Sequence, residues 1–169
     1  MHVRRLTACA ILSAVALTIF VLEAQIPVPL PVPGLKLGLS NVVTVFALAV
    51  LGWREALAIV LVRILLGNLA TGQASAILYA LAGGLLSFAA MALLRRVLKP
   101  GQLWLCGVCG GLMHTIGPMA VAVAITRTAG LLLYLPVLLL CGVATGALTG
   151  VSGQLLAKRV PSDRGDANL

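Results

Sequence analysis

Long apolar runs separated by short polar breaks dominate the pattern of this chain. Six such runs lie at residues 6–22, 39–51, 56–69, 76–94, 103–124 and 131–156. An α-helix rises about 1.5 Å per residue, so about 20 residues cross a hydrocarbon core of about 30 Å. The second run is short and spans only if it starts near Leu35, with Lys36 reaching outward. The pattern predicts an all-α integral membrane protein: one bundle of six transmembrane helices over residues 1–157 and a polar tail at 158–169.

Composition indicates that lipid is the solvent of this bundle. Apolar residues make up 61% of the 169 residues and charged residues 9%, whereas about 25% of an ordinary soluble domain is charged. A soluble domain of this size would have too little polar surface to cover such a core. The net charge of +8 could indicate nucleic acid. However, basic and aromatic residues do not interleave as they do in nucleic-acid-binding proteins, so we expect no nucleic-acid partner.

The basic residues predict how the helices are oriented across the membrane. With a cytoplasmic N-terminus, nine Lys and Arg residues lie on the inner side and two, Lys36 and Arg127, on the outer side. The inner residues are Arg4, Arg5, Arg54, Arg95, Arg96, Lys99, Lys158, Arg159 and Arg164. Lys and Arg are enriched in cytoplasmic loops of membrane proteins. We therefore expect both termini to be cytoplasmic in a multi-pass protein of the cell membrane, of the bacterial inner-membrane type.

One charged side chain and one histidine fall inside the apolar runs. Arg63 lies near the middle of the third run, without a carboxylate at similar depth in the same run. Charges at membrane depth are costly and often functional. His114 lies at the middle of the fifth run, and Pro118 cannot donate the helical hydrogen bond to its carbonyl, which predicts a kink. Both side chains could instead be structural: Arg63 by snorkelling or binding a backbone carbonyl, and His114 as a buried histidine.

Further polar residues concentrate in the predicted outer half of the bundle, beneath a proline-rich segment at residues 27–33 that we expect to be extended. Such an asymmetry favours a pocket that opens outward, although loops are polar in any membrane protein. The cations Lys36, Arg63 and Arg127 favour a negative or strongly polar ligand. The candidate substrate-binding residues are Lys36, Asn41, Arg63, Asn68, Gln73, Tyr79, His114 and Arg127.

Small residues spaced four apart mark three of the runs. Ala10 and Ala14 share one face of the first run, and Gly107 and Gly111 share a face of the fifth. In the sixth run the residues are Gly142, Gly146 and Gly150. Such faces let helices approach closely in lipid. Most of them pack the bundle, but the face of Ala10 and Ala14 could dock a partner.

Residues 33–41, Pro-Gly-Leu-Lys-Leu-Gly-Leu-Ser-Asn, are followed by Gly52, by Glu55 and Ala56, and by Arg63 with Gly67. This pattern resembles the family of heptaprenyl diphosphate synthase component I, also called Gx transporter proteins. That family is in turn similar to the substrate-binding S components of energy-coupling factor (ECF) transporters. The family's histidine is followed four residues later by glutamine, whereas Pro118 stands at that place here.

The resemblance implies six helices with cytoplasmic ends and a vitamin-like solute bound from outside. It also implies that Ala10 and Ala14 contact a transmembrane coupling subunit. Two cytoplasmic ATPases drive such transporters. This chain has no Gly-x-x-x-x-Gly-Lys-Ser/Thr loop, so ATP hydrolysis would belong to those partners. We expect an S-component-like binding subunit of an importer for a small vitamin-like or anionic solute.

The residues argue against catalysis by the chain alone. Prenyl diphosphate condensation uses clustered carboxylates to hold Mg²⁺. The acidic residues here are Glu23, Glu55, Asp163 and Asp166, and they are scattered. Cys106 and Cys109 have no second pair to complete a zinc site. We therefore expect no enzyme, metal or cofactor. Two alternatives stay open: a non-catalytic membrane subunit in heptaprenyl diphosphate synthesis, and an autonomous carrier, for which the sequence shows no evident repeat.

Overall fold

The computed structural model describes residues 2–26 and 36–160, and these residues form six α-helices. The helices are α1 (His2–Glu23), α2 (Asn41–Val50), α3 (Trp53–Ala70), α4 (Ile77–Arg95), α5 (Leu103–Thr126) and α6 (Leu135–Arg159). Short 3-10 helices, Ala74–Ala76, Pro100–Gln102 and Ala129–Tyr134, lead into α4, α5 and α6. The prediction of an all-helical chain is confirmed.

Four of the described helices, α1, α4, α5 and α6, are long and apolar enough to cross a membrane. The other two differ from them in length or charge. α2 has 10 residues, and at about 1.5 Å per residue it reaches only half of a bilayer core. α3 has 18 residues but contains Arg54, Glu55 and Arg63. The chain therefore has the helices of a membrane protein, and a count of six spans stays a prediction.

Two predicted segments lie partly or wholly outside the described residues. The segment at 27–33, expected to be extended, and the tail from residue 161 onward lie outside the residues that the structure describes. Lys158 and Arg159, assigned to the tail from sequence, belong to the last turn of α6.

Glycines with positive φ set the ends of two helices. Gly38 has a φ of 78° and Gly52 a φ of 122°. Backbones of this kind strongly favour glycine. α2 therefore begins at Asn41, close to the start of the predicted run at 39–51, because Gly38 turns the chain just before it; the extension to Leu35 that a full span would require is not helical. Gly52 alone separates the C-cap of α2, Leu51, from α3, so residues 53–55, between the second and third apolar runs, already belong to α3.

The short helix α2 lies in the centre of the bundle and contacts all five other helices. Seven of its 10 residues are buried. A helix that is apolar on every side is stable only when it is surrounded. This central position places the polar first residues of α2, Asn41 and Thr44, among the other helices rather than at a surface.

α5 and α6 pack through the glycines that the sequence marked. A Cβ added to Gly111 would lie 2.9 Å from the Cα of Gly146, and one added to Gly146 would lie 2.9 Å from the Cα of Val108. At Gly107 an added Cβ would overlap the backbone of Gly150. The expected role of these small residues in helix packing is therefore seen directly.

α4 and α5 approach each other closely beside Pro118. A Cβ added to Gly83 would lie 2.9 Å from both the carbonyl oxygen of His114 and the Pro118 ring. α5 continues as one helix through Pro118 to Thr126. Pro118 has no N–H to donate to the carbonyl of His114, and this carbonyl faces Gly83 on α4.

Candidate functional site

A group of buried polar residues lies where α2 begins. It gathers side chains from five helices and the loop before α2. We call it the Arg63 cluster, and its members are Glu23, Lys36, Ser40, Asn41, Arg63, Ser87 and His114.

Arg63 is the centre of the cluster. It projects from α3 and is 1% exposed. Its Nη1 donates to Ser40 Oγ at 2.5 Å and to Asn41 Oδ1 at 3.3 Å. Asn41 Nδ2 in turn donates to Ser87 Oγ on α4 at 3.4 Å. The guanidinium group therefore fixes the first turn of α2 between α3 and α4.

Glu23, the last residue of α1, holds the backbone that precedes α2. Its Oε1 accepts a hydrogen bond from Gly38 N at 2.5 Å and its Oε2 one from Leu39 N at 3.1 Å. The carboxylate is 4% exposed. At Gly38 an added Cβ would lie 2.9 Å from Cδ2 of His114 and 3.1 Å from Nδ2 of Asn41. The glycine is therefore required by its φ and by these two neighbours.

Lys36 enters the cluster from the loop before α2. Its Nζ lies 3.4 Å from the centroid of the Phe20 ring, a cation–π contact. Phe20 packs in turn against Gly67 of α3. Burial lowers the pKa of Lys36 to about 8, the carboxylate of Glu23 opposes this shift, and the positive charge of Arg63 adds to it.

Several buried polar atoms of this region lack a hydrogen-bond partner among the described residues. They are Lys36 Nζ, Arg63 Nε, His114 Nδ1 and, further along α3, Asn68 Oδ1. A buried polar atom left unpaired costs about 1–3 kcal/mol. Several such atoms near one another are therefore typical of a site that a ligand or water completes.

The structure brings together four of the eight residues predicted to bind a substrate: Lys36, Asn41, Arg63 and His114. Asn68 lies on α3 beyond Arg63, is fully buried, and donates from Nδ2 to the carbonyl of Ile64 at 2.7 Å. No hydrogen bond joins it to the cluster within the described residues.

The other three predicted residues lie elsewhere. Gln73 is the half-exposed N-cap of the 3-10 helix before α4. Tyr79 packs against Met119, Ala122 and Leu138. Arg127 is exposed and ends α5 with a φ of 52°. The structure does not place these three side chains at the Arg63 cluster.

Three cluster residues and one neighbouring ring were not among the predicted site residues: Glu23, Ser40, Ser87 and Phe20. Ser87 carried a usable signal, because it lies three or four residues from Gly83, Gly84 and Met91, which form one buried stripe of α4. A polar residue within such a stripe faces other helices. For Glu23 the signal was a carboxylate at the end of an otherwise apolar run.

Donors and neutral polar groups predominate in the cluster, and Glu23 is its one carboxylate. Within residues 2–26 and 36–160, no group of three or more metal-ligating side chains comes together. The arrangement is suited to holding a polar or negative group by hydrogen bonds and charge.

The fold and the site define a helical membrane protein with a buried polar cluster built around one arginine. The chain belongs to the heptaprenyl diphosphate synthase component I family, whose model matches residues 12–156. The match covers every member of the Arg63 cluster and includes Ala14 but not Ala10. Comparison with curated proteins and with solved structures found no match. The family inferred from residues 33–41 and Arg63 is therefore confirmed.

Proposed function

We propose that the chain is the membrane-embedded, substrate-binding subunit of an ECF-type ATP-driven importer in the cell membrane. It takes up a small vitamin-like or anionic solute and does not itself catalyse a reaction. The observation that carries this proposal is the Arg63 cluster, a set of buried donors inside an apolar bundle, several of which find no acceptor in residues 2–26 and 36–160. Polar groups are kept at such depth against a considerable cost, and a bound solute offsets it.

The composition of the cluster supports binding rather than catalysis. Ser40 and Asn41 both accept hydrogen bonds from Arg63, so the three side chains are held in position before a ligand arrives. Preorganised donors raise affinity because little conformational entropy is lost on binding. Glu23 accepts bonds from the backbone at both oxygens, and this structural task leaves it poorly placed to act as a general base.

The exposed face of α1 supports a partner. α1 packs mainly on α3 through residues such as Ala16 and Phe20, while Ala10 and Ala14 lie exposed on the outside of the bundle. Small residues on a free helix face allow another helix to approach closely in lipid. We assign this face to the transmembrane coupling subunit, through which two cytoplasmic ATPases would act.

The description of the family favours a second candidate: a non-catalytic membrane subunit associated with heptaprenyl diphosphate synthesis. In that role the cluster would hold the diphosphate of a polyprenyl lipid. The two candidates differ in the chemistry of the ligand, since one requires a water-soluble metabolite and the other a lipid with a phosphate head.

Mass spectrometry of small molecules extracted from the gently purified protein separates the candidates. The importer predicts one water-soluble metabolite near one per protein, and it predicts that Arg63→Gln loses it. Arg127→Asn is the matched control, because Arg127 is exposed and asparagine tolerates its left-handed backbone. A polyprenyl phosphate would instead establish the second candidate. Uptake into liposomes by the chain without ATP or partners would show an autonomous carrier and contradict both.

A further inference from the structure

We propose that the Arg63 cluster recognises one singly charged carboxylate of the solute, held between Lys36 and Arg63. This inference rests on the proposed solute-binding function and adds the chemical class of the group that is bound. Two observations carry it. Lys36 Nζ and Arg63 Nε have no acceptor among the described residues, and the neighbouring carboxylate of Glu23 already accepts hydrogen bonds from the backbone.

The first step is the occupation of Glu23. Its two oxygens accept bonds from Gly38 N and Leu39 N. Among the described residues, no hydrogen bond joins Glu23 to Lys36 or Arg63, although the three charges are near enough to influence one another. The protein's own carboxylate thus supports the backbone and leaves both cations available to an external anion.

The second step is the supply of donors. Arg63 uses Nη1 for Ser40 and Asn41, while its Nε, which is equally buried, has no acceptor within the described part of the chain. Lys36 Nζ is also without an acceptor there, and touches the Phe20 ring. Two donors from two cations suit the two oxygens of a carboxylate, and charge-assisted bonds of this kind are about twice as strong as neutral ones.

The third step is the charge of the cluster. Lys36 and Arg63 contribute two positive charges and Glu23 one negative charge, while Ser40, Asn41 and Ser87 are neutral. With a neutral His114, the net charge is +1. An uncompensated buried charge is unfavourable, and one carboxylate neutralises it. A diphosphate would bring two or more negative charges and leave the site with the opposite imbalance.

The test uses the full-length protein purified in detergent and measures its thermal unfolding. The probes are acetate, its neutral isostere acetamide, and pyrophosphate, at equal ionic strength in chloride. We expect a saturable rise in unfolding temperature with acetate, none with acetamide and a smaller rise with pyrophosphate. Arg63→Gln and Lys36→Gln should abolish the acetate effect, and Arg127→Asn should keep it. Equal effects of acetate and acetamide, or no acetate effect, would overturn the inference.

Glu23→Gln provides a second readout that does not depend on stability alone. The substitution raises the net charge of the cluster from +1 to +2 and should favour the more highly charged anion. We expect the affinity ratio of pyrophosphate to acetate to increase about tenfold or more. An unchanged ratio would contradict the charge argument. Because the ratio compares two probes on one variant, a general weakening of the loop at Gly38 cancels.

The outcomes also separate this inference from the proposed function. A neutral or cationic metabolite in the purified protein would leave the importer in place and overturn the carboxylate. Acetate binding without ATP-driven uptake in liposomes containing the coupling subunit and ATPases would support the carboxylate inference and overturn the importer. A bound polyprenyl diphosphate would overturn both.

Discussion

The interface between α5 and α6 and the Arg63 cluster are two solutions to packing helices in an apolar bundle. Along Gly107, Gly111 and Gly146, backbone meets backbone and no polar side chain is needed. In the cluster, Arg63 and Glu23 join the helices through hydrogen bonds, and buried nitrogen atoms of the cluster have no partner among the described residues. The first interface is complete as it stands. The second leaves hydrogen-bonding capacity unused, and we therefore propose a role in stability for the first and in recognition for the second.

The largest expected effect is at the glycine interface. Gly107→Leu places a side chain against the backbone of Gly150, which cannot move as the end of a flexible side chain can. Overpacking costs about 1–3 kcal/mol and occasionally more, and we expect at least about 3 kcal/mol here. Thermal unfolding and size-exclusion chromatography in detergent measure the loss. Gly101→Ala is the control, since an added Cβ there meets nothing within 4 Å. A folded Gly107→Leu variant of normal stability would contradict the interface.

A large effect on binding, with a smaller one on stability, is expected from Arg63→Gln. The substitution removes the charge and the unpaired Nε, and leaves Ser40 and Asn41 able to bond to glutamine. Truncating one partner of a buried charge pair costs about 2–5 kcal/mol, so affinity should fall about 30-fold or more.

The amount of co-purified solute per protein, measured by mass spectrometry, reports this change. Unfolding temperature in the absence of ligand should stay close to that of the parent chain. If the solute is retained, Arg63 is structural; if the variant unfolds like Gly107→Leu, the contrast between the two regions is lost.

A moderate effect is expected from pH. Lys36 carries its charge below its pKa of about 8 and loses it above, so an anion held by Lys36 binds more weakly as pH rises. The acetate affinity should fall about tenfold between about pH 7 and about pH 9. Glu23, Arg63 and His114 face Lys36 from α1, α3 and α5. Lys36→Gln should bind acetate weakly at both pH values; a tenfold change that persists in it would assign the titration to another group.

The smallest effect on fold and ligand is expected from Ala10→Leu with Ala14→Leu. Both residues are exposed, so the larger side chains meet no other part of the described bundle. Solute binding should be unchanged, while ATP-driven uptake in reconstituted liposomes should be blocked because the partner helix can no longer approach. Ala144→Leu makes the same change in size on an exposed position of α6, away from α1, and is the control. Uptake that survives the double substitution would place the docking face elsewhere.

The sequence predicted the helices well because each apolar run is a local signal. Arg63 and His114 could be singled out from sequence because such side chains are rare at membrane depth. Lys36 and Asn41 were singled out by the polar residues of the predicted outer half, and the structure places these four residues close together. The glycine faces of α5 and α6 could be predicted because a spacing of four residues places the glycines on one side of a helix.

The remaining features depend on tertiary structure that no local pattern contains. Gln73, Tyr79 and Arg127 share the polarity of the site residues, yet their helices carry them away from the start of α2. The central position of α2 could not be read from its length. The bond from Gly38 to Glu23 joins residues 15 positions apart, across a stretch whose path the sequence does not specify.

That bond has a mechanical consequence. Glu23 ends α1, and its hydrogen bonds with Gly38 and Leu39 attach this helix to the loop that enters the Arg63 cluster. A solute bound at Lys36 would therefore contact the loop that is bonded to the C-terminal end of α1. The exposed residues Ala10 and Ala14 lie nearer the other end of the same helix. If the solute and the coupling subunit bind as proposed, α1 is the helix that would connect the two sites. Linkage is reciprocal, so a coupling subunit gripping α1 would loosen or tighten the hold on the solute by the same free energy.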